Sequence, residues 1–246
     1  MKGSCNGLHQ KEASSTEKAA YLHKIDIHID NPENYLEEVL HHSLNSTATP
    51  IREDAFEISR EEKIMVIAEH VKGILHTLGL DLNDESIRDT PLRVAKMYVN
   101  ETFRGLDPEN KPKVTLFKNN YQYSQMLVEK NITFYSTCEH HLVPIFGKVH
   151  VAYFSSGNVI GLSKLNRLVD YYARRPQVQE RLTIQIAEAL KEALATEDVA
   201  VVVDSAHLCV SSRGIRDVNS TTITAEYCGK FKNRDVRNEF LNYTSK

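Results

Sequence analysis

The sequence predicts an α+β fold in which helices pack on one face of an antiparallel sheet, with a helical region ahead of it. Three observations carry that expectation. Two segments with helical periodicity and start signals come first, β-branched and aromatic stretches follow from Val114 onward, and a long amphipathic helix separates the third stretch from the fourth. With 246 residues, 41% of them hydrophobic, the chain can bury a substantial core.

Residues 1–55 are polar and weakly patterned and read as a flexible extension, in which residues 35–42 could form a short helix without a fixed partner. Order is expected from Ser59, where Ser59-Arg60-Glu61-Glu62 matches a capping box. Apolar residues then recur at Ile64, Ile67, Ala68, Val71, Leu75 and Leu78 until Gly79 ends the helix. A second helix starts with Thr90 as N-cap and Pro91 in its first turn, presents Val94, Met97 and Tyr98, and stops near Gly105. Arg93 falls on a face of it that can stay wet. These two helices make up a helical region, 56–110. Extended segments are expected at 114–117, 126–135, 148–154, 200–210 and 221–227. A short helix at about 163–172 precedes the long one, whose apolar stripe is Val178, Leu182, Ile186, Ala189, Leu190 and Ala193, with Pro176 just before or at its start. Residues 111–232 thereby form the main domain, and 233–246 a C-terminal tail.

Composition excludes several function classes. Thirty Lys and Arg stand against 33 Asp and Glu, a net charge of -3, so no basic field holds a nucleic acid, and a small ligand fits better than a polymer. Apolar runs such as 199–203 are too short to cross a bilayer, and residues 1–18 lack the apolar core of an export signal. The expected location is the cytoplasm, with no membrane partner. Four cysteines in such a chain do not make a disulfide framework, which leaves metal binding or plain burial for each.

Two Cys/His clusters are the candidates for chemistry. Ser136-Thr137-Cys138-Glu139-His140-His141 places a thiol and two imidazoles within four residues, the donor set zinc prefers. In an extended strand Cys138 and His140 would share a face, whereas a turn would bring His141 to Cys138, so spacing leaves the choice of histidine open. The second cluster is His207-Leu208-Cys209, where strand alternation puts His207 and Cys209 on one side. Three protein ligands with an open fourth position mark a catalytic zinc, and a spare histidine is then free for proton transfer. A closed structural zinc with Cys228 as fourth ligand is the rival reading. Cys5, Cys228, His41 and His42 otherwise read as buried or surface residues. Ser163-Lys164-Leu165-Asn166-Arg167 at a helix start and Arg213 in a turn suit phosphate oxygens.

Together these segments resemble the GTP cyclohydrolase I family over about residues 88–231. The resemblance rests on Asp89-Thr90-Pro91-Leu92-Arg93-Val94-Ala95-Lys96-Met97, Cys138-Glu139-His140-His141-Leu142-Val143-Pro144 and Gly161-Leu162-Ser163-Lys164-Leu165-Asn166-Arg167. It rests equally on Arg175-Pro176-Gln177-Val178-Gln179-Glu180-Arg181-Leu182-Thr183 and His207-Leu208-Cys209, all in the right order. It implies a tunnelling fold, in which small sheets of neighbouring subunits join into a barrel, and a homodecamer of two pentamers with active sites at subunit interfaces. It implies one zinc ion per subunit on Cys138, His141 and Cys209, which selects between the two histidines. His140 and His207 become acid/base groups, with Ser163 and His140 near the ribose. Glu180 would read the guanine N–H edge, and Lys164, Arg167 and Arg213 would hold the triphosphate with Arg93 of another subunit. The implied reaction is hydrolytic opening of the guanine imidazole ring of GTP, release of formate and rearrangement to 7,8-dihydroneopterin triphosphate, a first step toward folate or tetrahydropterins.

Overall fold

Strand alternation and helix periodicity converge on one sheet in a computed structural model that describes residues 47–245. The expectations for Cys5, His41, His42 and a helix at 35–42 lie outside the described residues. In chain order the elements are α1 (Arg60–Thr77), α2 (Thr90–Met97), β1 (Leu116–Lys118), β2 (Leu127–Cys138), β3 (Pro144–Tyr153), β4 (Asn158–Ile160) and α3 (Leu162–Ala173). They continue with β5 (Pro176–Gln177), α4 (Gln179–Leu194), β6 (Val199–His207), α5 (Leu208–Ser211), β7 (Thr222–Tyr227) and α6 (Arg234–Thr244). The main sheet runs β5-β2-β3-β6-β7, antiparallel except for the short parallel pairing of β5 with the end of β2, while β1 and β4 pair separately.

Period-two burial divides the sheet. Val149, Val151 and Tyr153 of β3 and Val199, Val201 and Val203 of β6 face α3 and α4, which contribute Leu165, Leu168, Leu182, Ile186, Leu190 and Leu194 to the same core. Each such side chain, fully buried, stabilises the fold by about 1.5–3 kcal/mol. This is the expected α+β arrangement. On the other face Ala152, Ala200 and Val202 pack against Phe231 and Phe240. Phe240 lies on α6, so residues 233–246, expected as a tail, carry a docked helix. Asn233 caps it, accepting from the backbone N–H groups of Asp235 and Val236. The polar composition of that segment masked a single buried aromatic anchor.

The helical starts follow their signals with one shift. Ser59 forms the capping box with Glu62: its Oγ accepts from Glu62 N at 3.2 Å, and Glu62 Oε2 accepts from Ser59 N at 2.8 Å. In α2 the N-cap is Asp89, not Thr90, and the Asp89 carboxylate lies 3.8 Å from Arg93 instead of capping the helix. Beyond α2 the chain passes through a π-helical turn, Tyr98–Thr102, to Gly105. A Cβ on Gly105 would collide with the Tyr171 carbonyl, which is why the chain can press so closely on α3 there.

That junction also holds the end of the N-terminal segment. Arg175 is buried, its guanidinium lying 4.6 and 4.7 Å from the ring centroids of Tyr171 and Tyr172. It donates from Nε to Gly105 O at 2.7 Å and from a terminal nitrogen to Thr49 Oγ1 at 3.1 Å. Gln185 Nε2 donates to Thr47 O at 2.8 Å, and its Oε1 accepts from Gln177 at 2.9 Å. Residues 47–49 are therefore docked, although the sequence placed them in a flexible extension. A chain beginning at residue 51 should be less stable than one beginning at residue 47 by about 1–3 kcal/mol, the worth of a few part-buried hydrogen bonds. Equal melting temperatures for the two chains would show that these contacts contribute nothing.

Candidate active site

The β2–β3 connection decides which histidine meets Cys138. Cys138 N donates to Val143 O at 2.8 Å and Leu142 N to Cys138 O at 2.9 Å, closing a tight turn in which Leu142 takes a φ of 52°. The turn folds His141 back, with Nδ1 3.6 Å from Cys138 Sγ, and leaves His140 Nδ1 at 3.8 Å from the same sulfur. Register pairs Ile145 with His207, bringing the second cluster to the same end of the sheet. Here the expected strand at 200–210 proves shorter. β6 stops at His207 and the helical turn α5 carries Cys209, so Cys209 arrives by a turn and not by alternation. Ser211 and Ser212 hydroxyls donate back to His207 O and Leu208 O, the local bonding that favours a turn over a strand.

Ligand atoms of Cys138, His141 and Cys209 all lie within 4.8 Å of one another. A tetrahedral zinc with bonds of about 2.3 Å to sulfur and 2.0–2.1 Å to nitrogen separates adjacent S and N donors by roughly 3.5 Å. The 3.6 Å from Cys138 Sγ to His141 Nδ1 matches. The Cys209 thiol is pushed up by burial and then by the neighbouring Cys138, with Arg213 opposing. Two soft sulfur donors crowded together, partly desolvated and joined by an imidazole, fit a divalent zinc ion. Cys228 is not part of this group; its thiol donates to Glu226 Oε1 at 3.5 Å, which removes the fourth ligand of a closed site.

Helix α4 brings three consecutive residues to the same place. Arg181, with 4% side-chain exposure, holds Glu139 through two contacts of 2.5 and 3.3 Å. Glu139 N also donates to Gln177 O at 3.1 Å. Gln179, buried, accepts at Oε1 from His207 Nε2 at 2.7 Å and from Ser205 Oγ at 2.7 Å. Its Nε2 donates to Val203 O at 3.1 Å and Thr222 O at 2.8 Å. Glu180, between them, is exposed. Burial holds the His207 imidazole below its ordinary value of 6.5, with the Glu180 carboxylate pulling the other way.

Of the residues expected to touch substrate, Arg213 joins the cluster, a guanidinium nitrogen lying 3.0 Å from His141 Nε2. Ser163, Lys164 and Arg167 stand in the first turns of α3, where Ser163 and Arg167 are exposed and Lys164 partly so. Arg93 has 74% side-chain exposure and lies 3.8 Å from Asp89. Among the described residues, none of these four bonds to the Cys138–His141–Cys209 group. Sequence reasoning passed over Glu139, Gln179 and Arg181, which hold the others in place. The available signal was polar Gln179, Thr183 and Gln185 lying beside the apolar stripe of α4, at spacings that bury them.

A family model described as GTP cyclohydrolase I matches residues 67–245. GTP cyclohydrolase 1 of Flavobacterium johnsoniae is 60% identical over 214 residues, covering 87% of this chain and 96% of that protein. GTP cyclohydrolase 1 of Vibrio parahaemolyticus is 53% identical over 194 residues, covering 78% and 88%. A solved structure of the archaeosine synthase QueF-Like in the apo form covers 43% of this chain and 94% of its own at 20% identity, with a TM-score of 0.36. The family match extends beyond residues 88–231 and takes in most of α1 and all of α6.

The buried Glu139–Arg181 pair generates a prediction. Arg181→Met should destabilise the protein by about 3–5 kcal/mol, because a desolvated carboxylate is left without its partner. It should also weaken metal retention, because Cys138 and His141 lie on the turn that Glu139 anchors. Chemical denaturation and metal analysis check both. Wild-type stability in this variant would show that the ion pair does not hold the turn.

Proposed function

The chain belongs to the GTP cyclohydrolase I family and is an enzyme of that type, and from that premise we propose how its own residues carry the reaction. The observation that supports the reading best is the convergence of Cys138, His141 and Cys209 beside an imidazole, His207, that is not among the ligands. One zinc ion per subunit would be held by these three residues. When bound, it supplies Lewis acidity that brings the pKa of water to about 7.

His207 moves a proton at the purine nitrogen that is released when the ring opens, and formate leaves after the second cleavage. Glu180, exposed beside His207, accepts hydrogen bonds from the N–H edge of guanine, and adenine presents the wrong donor pattern to it. His140 and Ser163 act at the ribose as it rearranges, giving 7,8-dihydroneopterin triphosphate. Lys164, Arg167 and Arg213 hold the triphosphate with charge-assisted bonds. Arg93 completes that pocket from a neighbouring subunit in a homodecamer of two pentamers. No helix among the described residues is long and apolar enough to cross a membrane, in keeping with a cytoplasmic enzyme.

Incubating GTP with the zinc-loaded protein should yield formate and the absorbance and fluorescence of a pterin, which binding alone does not produce. Cys138→Ser and Cys209→Ser should each lose both zinc and turnover. Full zinc occupancy in either variant would overturn the ligand assignment.

Arg93 tests the shared site. Arg93→Ala should keep its zinc and weaken GTP binding by about 1.5–3 kcal/mol, as expected for loss of a charge-assisted phosphate contact. Mixed with Cys138→Ser protein, it should recover part of the activity, because some mixed sites combine an intact Arg93 with an intact zinc centre. If subunits exchange and no activity returns, Arg93 serves only its own subunit.

A further inference from the structure

The hydrogen bonds around Gln179 restrict more than its own position. Gln179 is the first residue of α4 and 3% exposed. Its amide nitrogen faces two backbone carbonyls, Val203 O at 3.1 Å and Thr222 O at 2.8 Å, and a carbonyl can only accept. The amide cannot be turned over without setting its oxygen against both. Oε1 is thereby committed to the opposite side, where Ser205 Oγ lies at 2.7 Å and His207 Nε2 at 2.7 Å.

An amide oxygen has no hydrogen to give, so the hydrogen of the 2.7 Å contact belongs to His207 Nε2. Ser205 Oγ, 3.2 Å from the same nitrogen, donates its own hydrogen to Gln179 and does not compete for that role. Among the described residues no hydrogen bond engages His207 Nδ1. The ring is held at one edge by a buried glutamine that is itself clamped between β6 and the start of β7.

We propose that Gln179 is a positioning residue that holds His207 as the Nε2–H tautomer, so that Nδ1 is the nitrogen through which the proton enters and leaves. This rests on the reading of His207 as the acid/base group. As water oxygen bonds to C8 of the purine, the π pair of the C8–N7 double bond moves to N7 and one water proton passes through Nδ1 to N7. In ring opening the proton of the C8 hydroxyl passes to Nδ1 as the C8 carbonyl forms, and Nδ1 gives it to the other ring nitrogen, N9, as the N9–C8 bond breaks. Nε2 keeps its hydrogen on Gln179 throughout, which fixes the ring plane while Nδ1 works.

Two variants separate positioning from support. Gln179→Met loses the acceptor and both donors, whereas Gln179→Glu keeps an acceptor for His207 and loses the donors to Val203 and Thr222. Both should melt below wild type. Gln179→Met should lose kcat by about 10–100-fold, the usual effect of removing a partner that orients a functional histidine. Its KM should stay within about threefold and its zinc content should be unchanged. Gln179→Glu should keep most of the turnover. A direct readout is nitrogen-15 magnetic resonance of histidine-labelled protein, with His207→Ala supplying the assignment: Nε2–H in the wild type, a mixture of tautomers in Gln179→Met. An Nδ1–H signature in the wild type overturns the proposal, as does equal loss of kcat in both variants, which is the mark of a purely structural clamp. Unchanged kcat in Gln179→Met, with turnover lost in His207→Ala, rejects Gln179 alone. Full turnover in His207→Ala instead removes the role assigned to His207.

Discussion

The ion pair between Glu139 and Arg181 ties the turn that carries Cys138 and His141 to the first turn of α4. That turn is also held by the strands on both sides of it, Thr137 pairing with Pro144 and Ile145 with His207, and by the short parallel pairing of β2 with β5; the ion pair is what ties it to α4. A desolvated ion pair adds little net stability, since the cost of taking both charges out of water offsets most of their attraction. Its contribution is geometric. Two contacts between planar groups admit one mutual orientation, so the turn is set against the first turn of α4 rather than merely near it.

Successive residues on a helix point about 100° apart, and the start of α4 uses that spread to give three neighbours three surroundings. Gln179 turns into the sheet and meets His207, Arg181 turns to the turn that carries Cys138 and His141, and Glu180 between them faces solvent. The helix body is anchored by Leu182, Ile186, Leu190 and Leu194 in the main core. The sheet core thus transmits its rigidity to both halves of the site through a single helical turn. His207 and the Cys138–His141 turn are thereby each bonded to a residue of that helical turn, Gln179 and Arg181.

The α+β class, the capped helix at Ser59 and the convergence of the two Cys/His clusters were legible in the sequence because each has a local signature: a cap, a period or a ligand spacing. Four features were not. The helix at α6 hides its one deep anchor, Phe240, in a polar segment, so its periodicity is weak. Cys209 was placed on a strand because a β-branched run leads up to it, but serine hydroxyls bonding back to the chain start a helical turn after His207. Gln179 and Arg181 read as ordinary polar helix residues. Their value comes from partners 42 positions away for Arg181 and 28 for Gln179, a separation that no local pattern encodes. Which histidine meets Cys138 was likewise open to spacing, and the turn at Leu142 closes the question by bending the chain.

Burial separates the residues that hold this site from those assigned to substrate. Gln177, Gln179 and Arg181 are buried, and the bonds described for them run to other parts of the protein. Ser163, Arg167, Glu180, Arg213 and Arg93 are exposed, and none is fixed by a deep contact. A side chain that must exchange water for a phosphate or a guanine edge at every turnover has to be wet when the site is empty. A side chain that orients a ligand or a proton carrier has to be dry, because water would compete for its hydrogen bonds. His207 stands at the boundary, half-buried, with one nitrogen committed to Gln179 and the other unengaged. That boundary suits the proton-carrying role proposed for His207, because there one edge of the ring can be fixed while the other meets a substrate that comes and goes.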